Sequence, residues 1–301
     1  MIDVIIASYK EPKSTLRAVN IFLKSKRKAL RVTVVDPFTE VEKFLRGKIK
    51  DKRFNFFLDP GEGKSYALNL LFQELGSSNT DDFFILTDGD VYVSDNAIDE
   101  IVNAFKDKEI GCVTGHPISL DSKDTKYGYW QNLAFERIHQ VRERMSNNKQ
   151  FFECSGYLFA IRKGVILDFP LETSEDSIIP FLFWKKGYKI NYLPNAAVYV
   201  KNPDNWKDWL AQKVRNIKAH EKLNKIVPDM PRTKTLWNEI KEGTFYTLAN
   251  INSLKQLFWV LQYFPARLYL YLKAFSQLKK KRSYEDGWRG QATTDSTKTL
   301  D

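Results

Sequence analysis

Two pairs of acidic residues have the types and spacing that metal binding or acid–base catalysis requires. Asp88 and Asp90 flank one glycine directly after the apolar run Phe83 to Leu86, and Glu175 and Asp176 open an apolar segment. Such carboxylates can bind a divalent cation, Mg²⁺ or Mn²⁺, or can accept a proton from a reacting hydroxyl. The structural alternatives are a plain turn and a helix start, because Asp and Gly favour turns and acids favour the first turn of a helix.

A glycine-rich turn carries a lysine into a further apolar segment. The stretch DPGEGKSYALN, from Asp59 to Asn69, looks like a phosphate-binding P-loop, but such a loop needs a glycine at the position of Leu58, five residues before Gly63. A P-loop NTPase is therefore not predicted. What the stretch predicts is Lys64 at a helix start, where phosphate binding is favoured; the alternative is an ordinary loop with a solvated lysine.

These residues need a scaffold, and the first 200 residues alternate strand-like and helix-like patterns. Strands are predicted at residues 2–8, 31–36, 54–59 and 82–90. This rhythm predicts an α/β fold, with a mostly parallel sheet and helices on both faces. Ligands bind at the carboxyl ends of the strands in such sheets. The side chains expected at that edge are those of Ser8, Asp36, Asp59 and Asp88.

The chain changes character near residue 200. A catalytic α/β domain is predicted over residues 1–200, and a helical, basic region over residues 201–301. Within that region, residues 254–282 are rich in Leu, aromatic residues and Lys, and Pro265 interrupts them. This composition predicts helices lying on an anionic membrane surface. The alternative is a helix that packs on the catalytic domain or on a partner protein.

Charge and cysteine content narrow the class of protein. The formal net charge of +10 indicates an anionic partner, but the basic residues do not follow a nucleic-acid-binding motif, so no nucleic-acid partner is expected. Cys112 and Cys154 are too few for a disulfide framework and are predicted to be buried free thiols. The sequence begins with a strand-like run instead of a signal-peptide pattern. We therefore expect a cytoplasmic protein, peripheral on the inner face of the cell membrane.

The order and spacing of six short segments resemble one enzyme family over roughly residues 2–220. The segments are VIIASYKEP, VVD, GEGKSYALN, LTDGD, SGYLFAIRK and SED. They are similar to motifs of the inverting nucleotide-sugar glycosyltransferases of family 2, which have the GT-A fold and include enzymes like cellulose synthase, hyaluronan synthase and dolichol-phosphate mannose synthase.

The resemblance implies a reaction and a set of site residues. A UDP- or GDP-sugar would donate its sugar, with Mn²⁺ or Mg²⁺, to a hydroxyl or phosphate of a lipid-linked or glycan acceptor. Asp176 would be the general base, with Glu175 beside it, and Asp88 and Asp90 would bind the metal. The donor-binding residues that it implies are Ser8, Tyr9, Glu11, Asp36, Lys64, Asp88, Gln212 and Arg215.

The chain also departs from the family. Pro37 and Phe38 follow Asp36, where many members have Asp and Gly, and residues 212–216 lack the Trp of the Gln-x-x-Arg-Trp motif in polymerising synthases. Non-processive transfer is therefore expected. The final segment DSTK resembles a loop that closes over the donor in some synthases, through Thr297 and Lys298. The alternative function is a catalytically inactive module that binds nucleotide sugars.

Overall fold

The computed structural model describes residues 1–232 and 235–280. The strands in this part of the chain are β1 (Ile2–Ala7), β2 (Leu30–Asp36), β3 (Phe54–Leu58), β4 (Phe83–Asp88), β5 (Tyr92–Val93), β6 (Ile110–Ser119), β7 (Leu158–Arg162) and β8 (Lys189–Val200). The helices are α1 (Pro12–Leu23), α2 (Thr39–Lys48), α3 (Lys64–Glu74), α4 (Ala97–Ala104), α5 (Lys126–Asn147), α6 (Glu175–Lys185), α7 (Trp206–Ile226), α8 (Leu236–Ala249) and α9 (Leu254–Lys279). Strands and helices alternate from β1 to β4, as the spacing of the apolar runs predicts.

One half of the sheet is parallel. Among the described residues, eight strands form a sheet in the order β3-β2-β1-β4-β7-β6-β8-β5. β1 lies parallel between β2 and β4, so that Ala7 is opposite both Val35 and Asp88. β3 continues this parallel half, with Leu58 opposite Asp36. The carboxyl ends of the four strands therefore lie at one edge of the sheet, as predicted.

The other half of the sheet is antiparallel. β7 is antiparallel to both β4 and β6, and β5 is antiparallel to β8. The predicted α/β class with a GT-A sheet is thus confirmed, and β3, β2, β1 and β4 pair in parallel. The sequence indicated a mostly parallel sheet. An apolar run predicts a buried strand but not its direction, so the antiparallel strands could not be recognised.

Buried charges fix the amino end of the parallel strands. Asp3 is fully buried and forms ion pairs with Arg31 and with Lys163, a residue that is only 2% exposed. Lys163 also donates to the carbonyl of Leu75 at 2.8 Å. Because a buried charge is tolerated only when it is paired, these contacts make Lys163 part of the scaffold.

Both cysteines are buried free thiols, as predicted. Burial raises the pKa of Cys112 and that of Cys154, which keeps both side chains as neutral thiols at neutral pH.

The described residues form two compact units. Unit 1 comprises residues 1–118 and 142–201, and unit 2 comprises residues 119–141, 202–232 and 235–280. In unit 2, part of α5 packs with α7 and α9 around a core that includes Trp130, Trp209 and Trp259. The separate domains predicted over residues 1–200 and 201–301 stay a prediction. Residues 281–301, with Thr297, Lys298 and the end of the segment 254–282, lie outside the described residues.

In residues 1–232 and 235–280, none of the helices combines the length and the apolar composition that crossing a membrane requires.

Candidate active site

Lys64 connects two of the acidic positions. It is the first residue of α3, and its Nζ lies 2.8 Å from Asp88 Oδ1 and 2.6 Å from Glu175 Oε1. Burial acts to lower the pKa of Lys64, but the charges and hydrogen bonds of the two carboxylates outweigh it and raise that pKa well above its ordinary value. An ammonium that is charged at neutral pH therefore joins the end of β4 to the first turn of α6.

The turn before α3 depends on glycine. Gly61 and Gly63 have φ values of 85° and 102°, in the left-handed region where other residues are strained. Asp59 Oδ1 accepts a hydrogen bond from the N–H of Gly61 at 2.8 Å, which closes the turn after β3. The sequence predicted Lys64 at a helix start, and α3 begins there.

The glycine of the Asp-Gly-Asp turn has no room for a side chain. A Cβ on Gly89 would lie 2.8 Å from Thr15 Oγ1 and 3.3 Å from Ser8 Cβ. The N–H of Gly89 donates to the carbonyl of Ala7 at 2.7 Å, which continues the pairing of β4 with β1. This turn therefore packs directly on the end of β1, where Ser8 and Thr15 share a hydrogen bond of 2.7 Å.

Asp36 holds the turns after β1 and β2 together. Its carboxylate is fully buried and accepts hydrogen bonds from the N–H groups of Lys10, at 3.0 Å, and Phe38, at 2.9 Å. Burial raises the pKa of Asp36, although these bonds and one from Ser8 oppose the rise. Asp36 thus positions the neighbouring turns, and its implied contact with a nucleotide base stays a prediction.

An aromatic pair lies on these same turns. The rings of Tyr9 and Phe38 meet edge to face, with centroids 5.2 Å apart, and Tyr9 is 44% exposed. Lys10 Nζ is 5.4 Å from the centroid of the Phe38 ring. Glu11 differs from Tyr9, because it is 2% exposed and its carbonyl accepts the N–H of Thr15 at the start of α1.

Asp176 is fixed through both its side chain and its backbone. Oδ1 accepts a hydrogen bond from the hydroxyl of Ser174, and Oδ2 accepts one from the N–H of Gly156 at 3.1 Å. The carbonyl of Asp176 accepts the N–H of Cys154 at 2.9 Å. Ser174 occupies the cap position of α6, but its side chain makes no capping hydrogen bond and holds the carboxylate instead.

The motif around Lys64 docks α3 on the segment before α6. The hydroxyl of Ser65 donates to the carbonyl of Thr173 at 3.1 Å. The amide of Asn69 makes two bonds with the backbone of Phe169, donating at 2.8 Å and accepting at 3.1 Å. These bonds fix the distance between the helix that carries Lys64 and the turn that carries the acid pair.

The predicted metal site rests on two carboxylates. Asp88 and Asp90 are both half-buried at the end of β4. Within residues 1–232 and 235–280, His, Cys, Asp and Glu side chains form no group of three or more that could hold a metal ion. The oxygen chemistry of the two carboxylates nevertheless fits Mg²⁺ or Mn²⁺ where a diphosphate and water supply the other ligands.

Gln212 and Arg215 lie in unit 2, three residues apart on α7. Gln212 is 8% exposed, and its Oε1 has no hydrogen-bond partner among the described residues. The same holds for Nε of Arg215. Positions i and i+3 lie on the same face of a helix. This face of α7 therefore carries an unpaired acceptor, Gln212 Oε1, and an unpaired donor, Arg215 Nε.

Sequence reasoning missed the residues that support the site. Ser65, Asn69 and Gly156 act through the backbone of segments far away in the chain, which no local pattern reveals. Pro180, inside the apolar run of α6, did carry a signal, because proline is strongly unfavourable in a helix interior.

The cluster lies where this type of fold binds ligands. In open α/β sheets that place is the carboxyl end of the strands, where Lys64 contacts Asp88. A family model described as glycosyltransferase-like family 2 matches residues 2–219. The chain belongs to that family, and the family and enzyme class that the sequence predicted are thereby confirmed.

Three curated relatives share the same printed description, N-acetylglucosaminyltransferase. That of Rhizobium meliloti (strain 1021) is 26% identical, over 71% of this chain and 54% of the relative. Those of Rhizobium leguminosarum bv. viciae and Azorhizobium caulinodans are 23% and 24% identical, each over 71% of this chain, and over 54% and 58% of the relatives. The chain thus spans a little over half the length of the curated relatives it matches.

One solved structure is similar in outline. The crystal structure of S. aureus TarS aligns with a TM-score of 0.47 and 14% identity, over 85% of this chain and 46% of that chain.

Proposed function

We propose that this chain transfers a sugar from a nucleoside-diphosphate sugar to an acceptor, with inversion at the anomeric carbon. The observation that carries the proposal is the pairing of Lys64 with Asp88 and Glu175, beside Asp176, at the carboxyl edge of the parallel strands. Membership of the glycosyltransferase-like family 2 supports the reaction class.

Lys64 is proposed to stabilise the leaving group. As the bond between the sugar and the diphosphate breaks, negative charge develops on the phosphate oxygen. The raised pKa of Lys64 keeps its ammonium charged, and a fixed charge of opposite sign lowers the barrier to that step. Glu175 is proposed to hold this ammonium in place, because its carboxylate lies 2.6 Å from Nζ.

Asp176 is proposed to be the general base. It would take the proton from the acceptor hydroxyl, whose oxygen then attacks the anomeric carbon from the face opposite the diphosphate. The hydroxyl of Ser174 and the N–H of Gly156 fix the orientation of this carboxylate. Fixed orientation matters because a base must point at the proton it removes.

Asp88 and Asp90 are proposed to hold Mn²⁺ or Mg²⁺. When bound, such an ion neutralises charge on the donor diphosphate. Binding at Asp88 would compete with the Lys64 contact, so that the donor complex has Lys64 shifted toward the diphosphate.

Further donor contacts are proposed for the turns after β1 and β2. The half-exposed ring of Tyr9 supports stacking on the base, and Asp36 supports it by fixing the turns that hold Tyr9 and Phe38. Gln212 and Arg215 are also proposed to bind the donor, and their unpaired polar atoms support this role.

The donor sugar to test first is N-acetylglucosamine. Three relatives share the description N-acetylglucosaminyltransferase, although each is at most 26% identical to this chain. UDP- and GDP-linked sugars are both tested. The proposed acceptor is a lipid-linked molecule or a glycan. Sugars are proposed to be added singly, because Asn216 replaces the Trp of processive enzymes.

A donor assay tests this function. The protein is incubated with each nucleotide sugar and Mn²⁺ or EDTA, and the nucleoside diphosphate released is measured. We expect release that EDTA abolishes and that Asp90→Ala lowers at least 10²-fold, while Asp95→Ala, an exposed acid beyond the site, retains it. Equal release by Asp90→Ala would refute the metal assignment.

The alternative, an inactive module that binds nucleotide sugars, predicts a different outcome of the same assay. Donor binding would be seen by calorimetry, with no release of nucleoside diphosphate under any condition. The complete set of Lys64, Asp88 and Asp176 favours catalysis.

We also propose that α9 docks on an anionic membrane surface. One face of α9 packs in the core of unit 2, through Trp259, Leu270 and Ala274. Another face is apolar but exposed, with Leu254 at 85%, Leu261 at 62% and Leu272 at 61%. The exposed apolar residues of this face, at spacings of three, four and seven residues, are Leu254, Phe258, Leu261, Leu268, Leu272 and Phe275.

Charge favours lipid over a second copy of this chain. Residues 254–280 contain five cations, Lys255, Arg267, Lys273, Lys279 and Lys280, and no Asp or Glu. Two copies meeting through α9 would bring like charges together, whereas anionic lipid attracts each cation by about 1 kcal/mol. Placement on the cytoplasmic face of the cell membrane stays a prediction.

Flotation with vesicles tests this surface. We expect binding to vesicles of phosphatidylcholine with phosphatidylserine, and strong loss of binding for the double variant Leu261→Asp and Leu272→Asp. Leu167→Asp, at an exposed leucine of unit 1, is the matched control. Undiminished binding by the double variant would refute the role of α9, and a concentration-dependent dimer that the same variant abolishes would assign the face to a second copy.

A further inference from the structure

Pro180 lies where proline is normally unfavourable. In a regular helix the N–H of residue 180 would donate to the carbonyl of Asp176, four residues earlier. Proline has no N–H, and its ring crowds that carbonyl and turns it away from the helix axis. The helix α6 nevertheless continues from Glu175 to Lys185.

The released carbonyl has a partner outside the helix. Asp176 accepts the N–H of Cys154 through its carbonyl, at 2.9 Å. Cys154 and Pro180 are both buried, so this N–H would otherwise be unpaired away from water. Because of Pro180, the carbonyl of Asp176 therefore accepts a hydrogen bond from Cys154, in another segment, instead of one from within α6.

Two further bonds tie the same segment to the first turn of α6. We call residues 153–156 the strap. The hydroxyl of Ser177 donates to Glu153 Oε2 at 2.6 Å, and the N–H of Gly156 donates to Asp176 Oδ2 at 3.1 Å. The strap thus contacts both the backbone and the carboxylate of the proposed base.

The far side of the strap is fixed to the rest of unit 1. Arg142 Nη2 donates to the carbonyl of Cys154 at 2.7 Å, and Thr114 Oγ1 accepts the N–H of Ser155 at 2.9 Å. The strap is therefore a fixed reference against which α6 is aligned.

We propose that Pro180 is a positioning residue for Asp176. Because it withholds an N–H from the carbonyl of Asp176, that carbonyl bonds the strap, and the strap then holds the carboxylate through Gly156. The inference rests on the proposed function, in which this carboxylate accepts the proton of the acceptor hydroxyl. An N–H restored at position 180 draws the carbonyl back into the helix and loosens the carboxylate.

Pro180→Ala tests this inference, with Pro265→Ala, inside α9, as the matched control. Alanine is much more favourable than proline in a helix interior, and this gain offsets the cost of leaving the buried N–H of Cys154 unpaired, so the urea midpoint of the variant should equal or exceed that of the wild type. The kcat for sugar transfer should fall about tenfold, the size of weakening one hydrogen bond, while the donor KM stays within about twofold. A purely structural role for Pro180 would lower stability and kcat together.

Two further variants keep the outcomes distinct. Ser177→Ala removes the tie to Glu153 without changing the helix backbone, and kcat should fall a few-fold at constant donor KM. If Asp176→Asn retains turnover, the proposed function fails. If Asp176→Asn is inactive but Pro180→Ala keeps the kcat of the wild type, or if Pro265→Ala shows the same loss, the positioning role is overturned and the proposed function stands.

Discussion

The acidic edge of unit 1 and the exposed face of α9 in unit 2 differ in how their charged side chains are arranged. In unit 1, Lys64 is held between Asp88 and Glu175, and the neighbouring carboxylates accept hydrogen bonds from the backbone. Residues 254–280, which include α9, contain five cations and no acids, among exposed leucines. Chemistry requires charges at fixed positions, whereas attachment to a surface requires only an excess of one sign. Variants in one region should therefore leave the function of the other intact.

The largest effect that separates the two regions is expected from Lys64→Met. Loss of the ammonium removes a charge that stabilises the leaving group, so kcat/KM should fall about 10²- to 10³-fold. Binding to anionic vesicles should not change. Lys186→Met, at an exposed lysine after α6, is the control for loss of one positive charge. Steady-state kinetics and flotation are measured on the same preparations. A loss of both sugar transfer and vesicle binding would contradict the independence of the two regions.

The same lysine predicts how stability depends on pH. Because its pKa is raised in the folded protein, its contribution to stability is fully present below the unfolded value of 10.5 and is lost as the pH rises through the folded value. The difference in free energy of unfolding between wild type and Lys64→Met should thus stay constant from about pH 7 to about pH 9. Urea unfolding measures it, and a difference that shrinks within this range contradicts the assignment.

A smaller effect is expected where α3 docks on the segment before α6. Asn69→Ala leaves the N–H and the carbonyl of buried Phe169 without their partners, which should cost about 2 kcal/mol of stability in urea unfolding. A several-fold loss of kcat should accompany it, because Lys64 moves relative to Glu175. Asn55→Ala, at an exposed position of β3, is the control. A stable variant with unchanged kcat would show that this docking does not align the site.

An effect of comparable size, confined to vesicle binding, is expected on α9. Lys255→Ala with Lys273→Ala removes two cations, each worth about 1 kcal/mol near an anionic surface, so vesicle binding should weaken roughly 10- to 30-fold. Turnover with a soluble acceptor should be unchanged. Lys48→Ala, exposed at the end of α2, serves as control in the same flotation series. Loss of turnover in the double variant would show that α9 also contributes to catalysis.

The sequence predicted the local features of unit 1 well. Residues such as Lys64, Asp88 and Asp176 belong to short motifs at the ends of strands and helices, and the pattern of apolar residues locates those ends. The antiparallel direction of β7 had no such pattern, because a buried run looks the same in either direction.

What sequence could not provide were contacts between distant segments. Asn69 bonds Phe169 across 100 residues, and Lys163 pairs with Asp3 across 160. Asp36 shows the same limit: its type and position suggested a ligand contact, and only the fold reveals that its oxygens already hold two turns.

Inverting transfer with Asp176 as the general base can be tested by the slow hydrolysis of the donor, in which water takes the place of the acceptor. The protein is mixed with UDP-N-acetylglucosamine and Mn²⁺, and NMR follows the anomeric configuration of the sugar as it is released. We expect inverted configuration with the wild type, and release lowered at least about 10²-fold with Asp176→Asn, which still binds the donor. Retained configuration, or release by Asp176→Asn at the rate of the wild type, would contradict it.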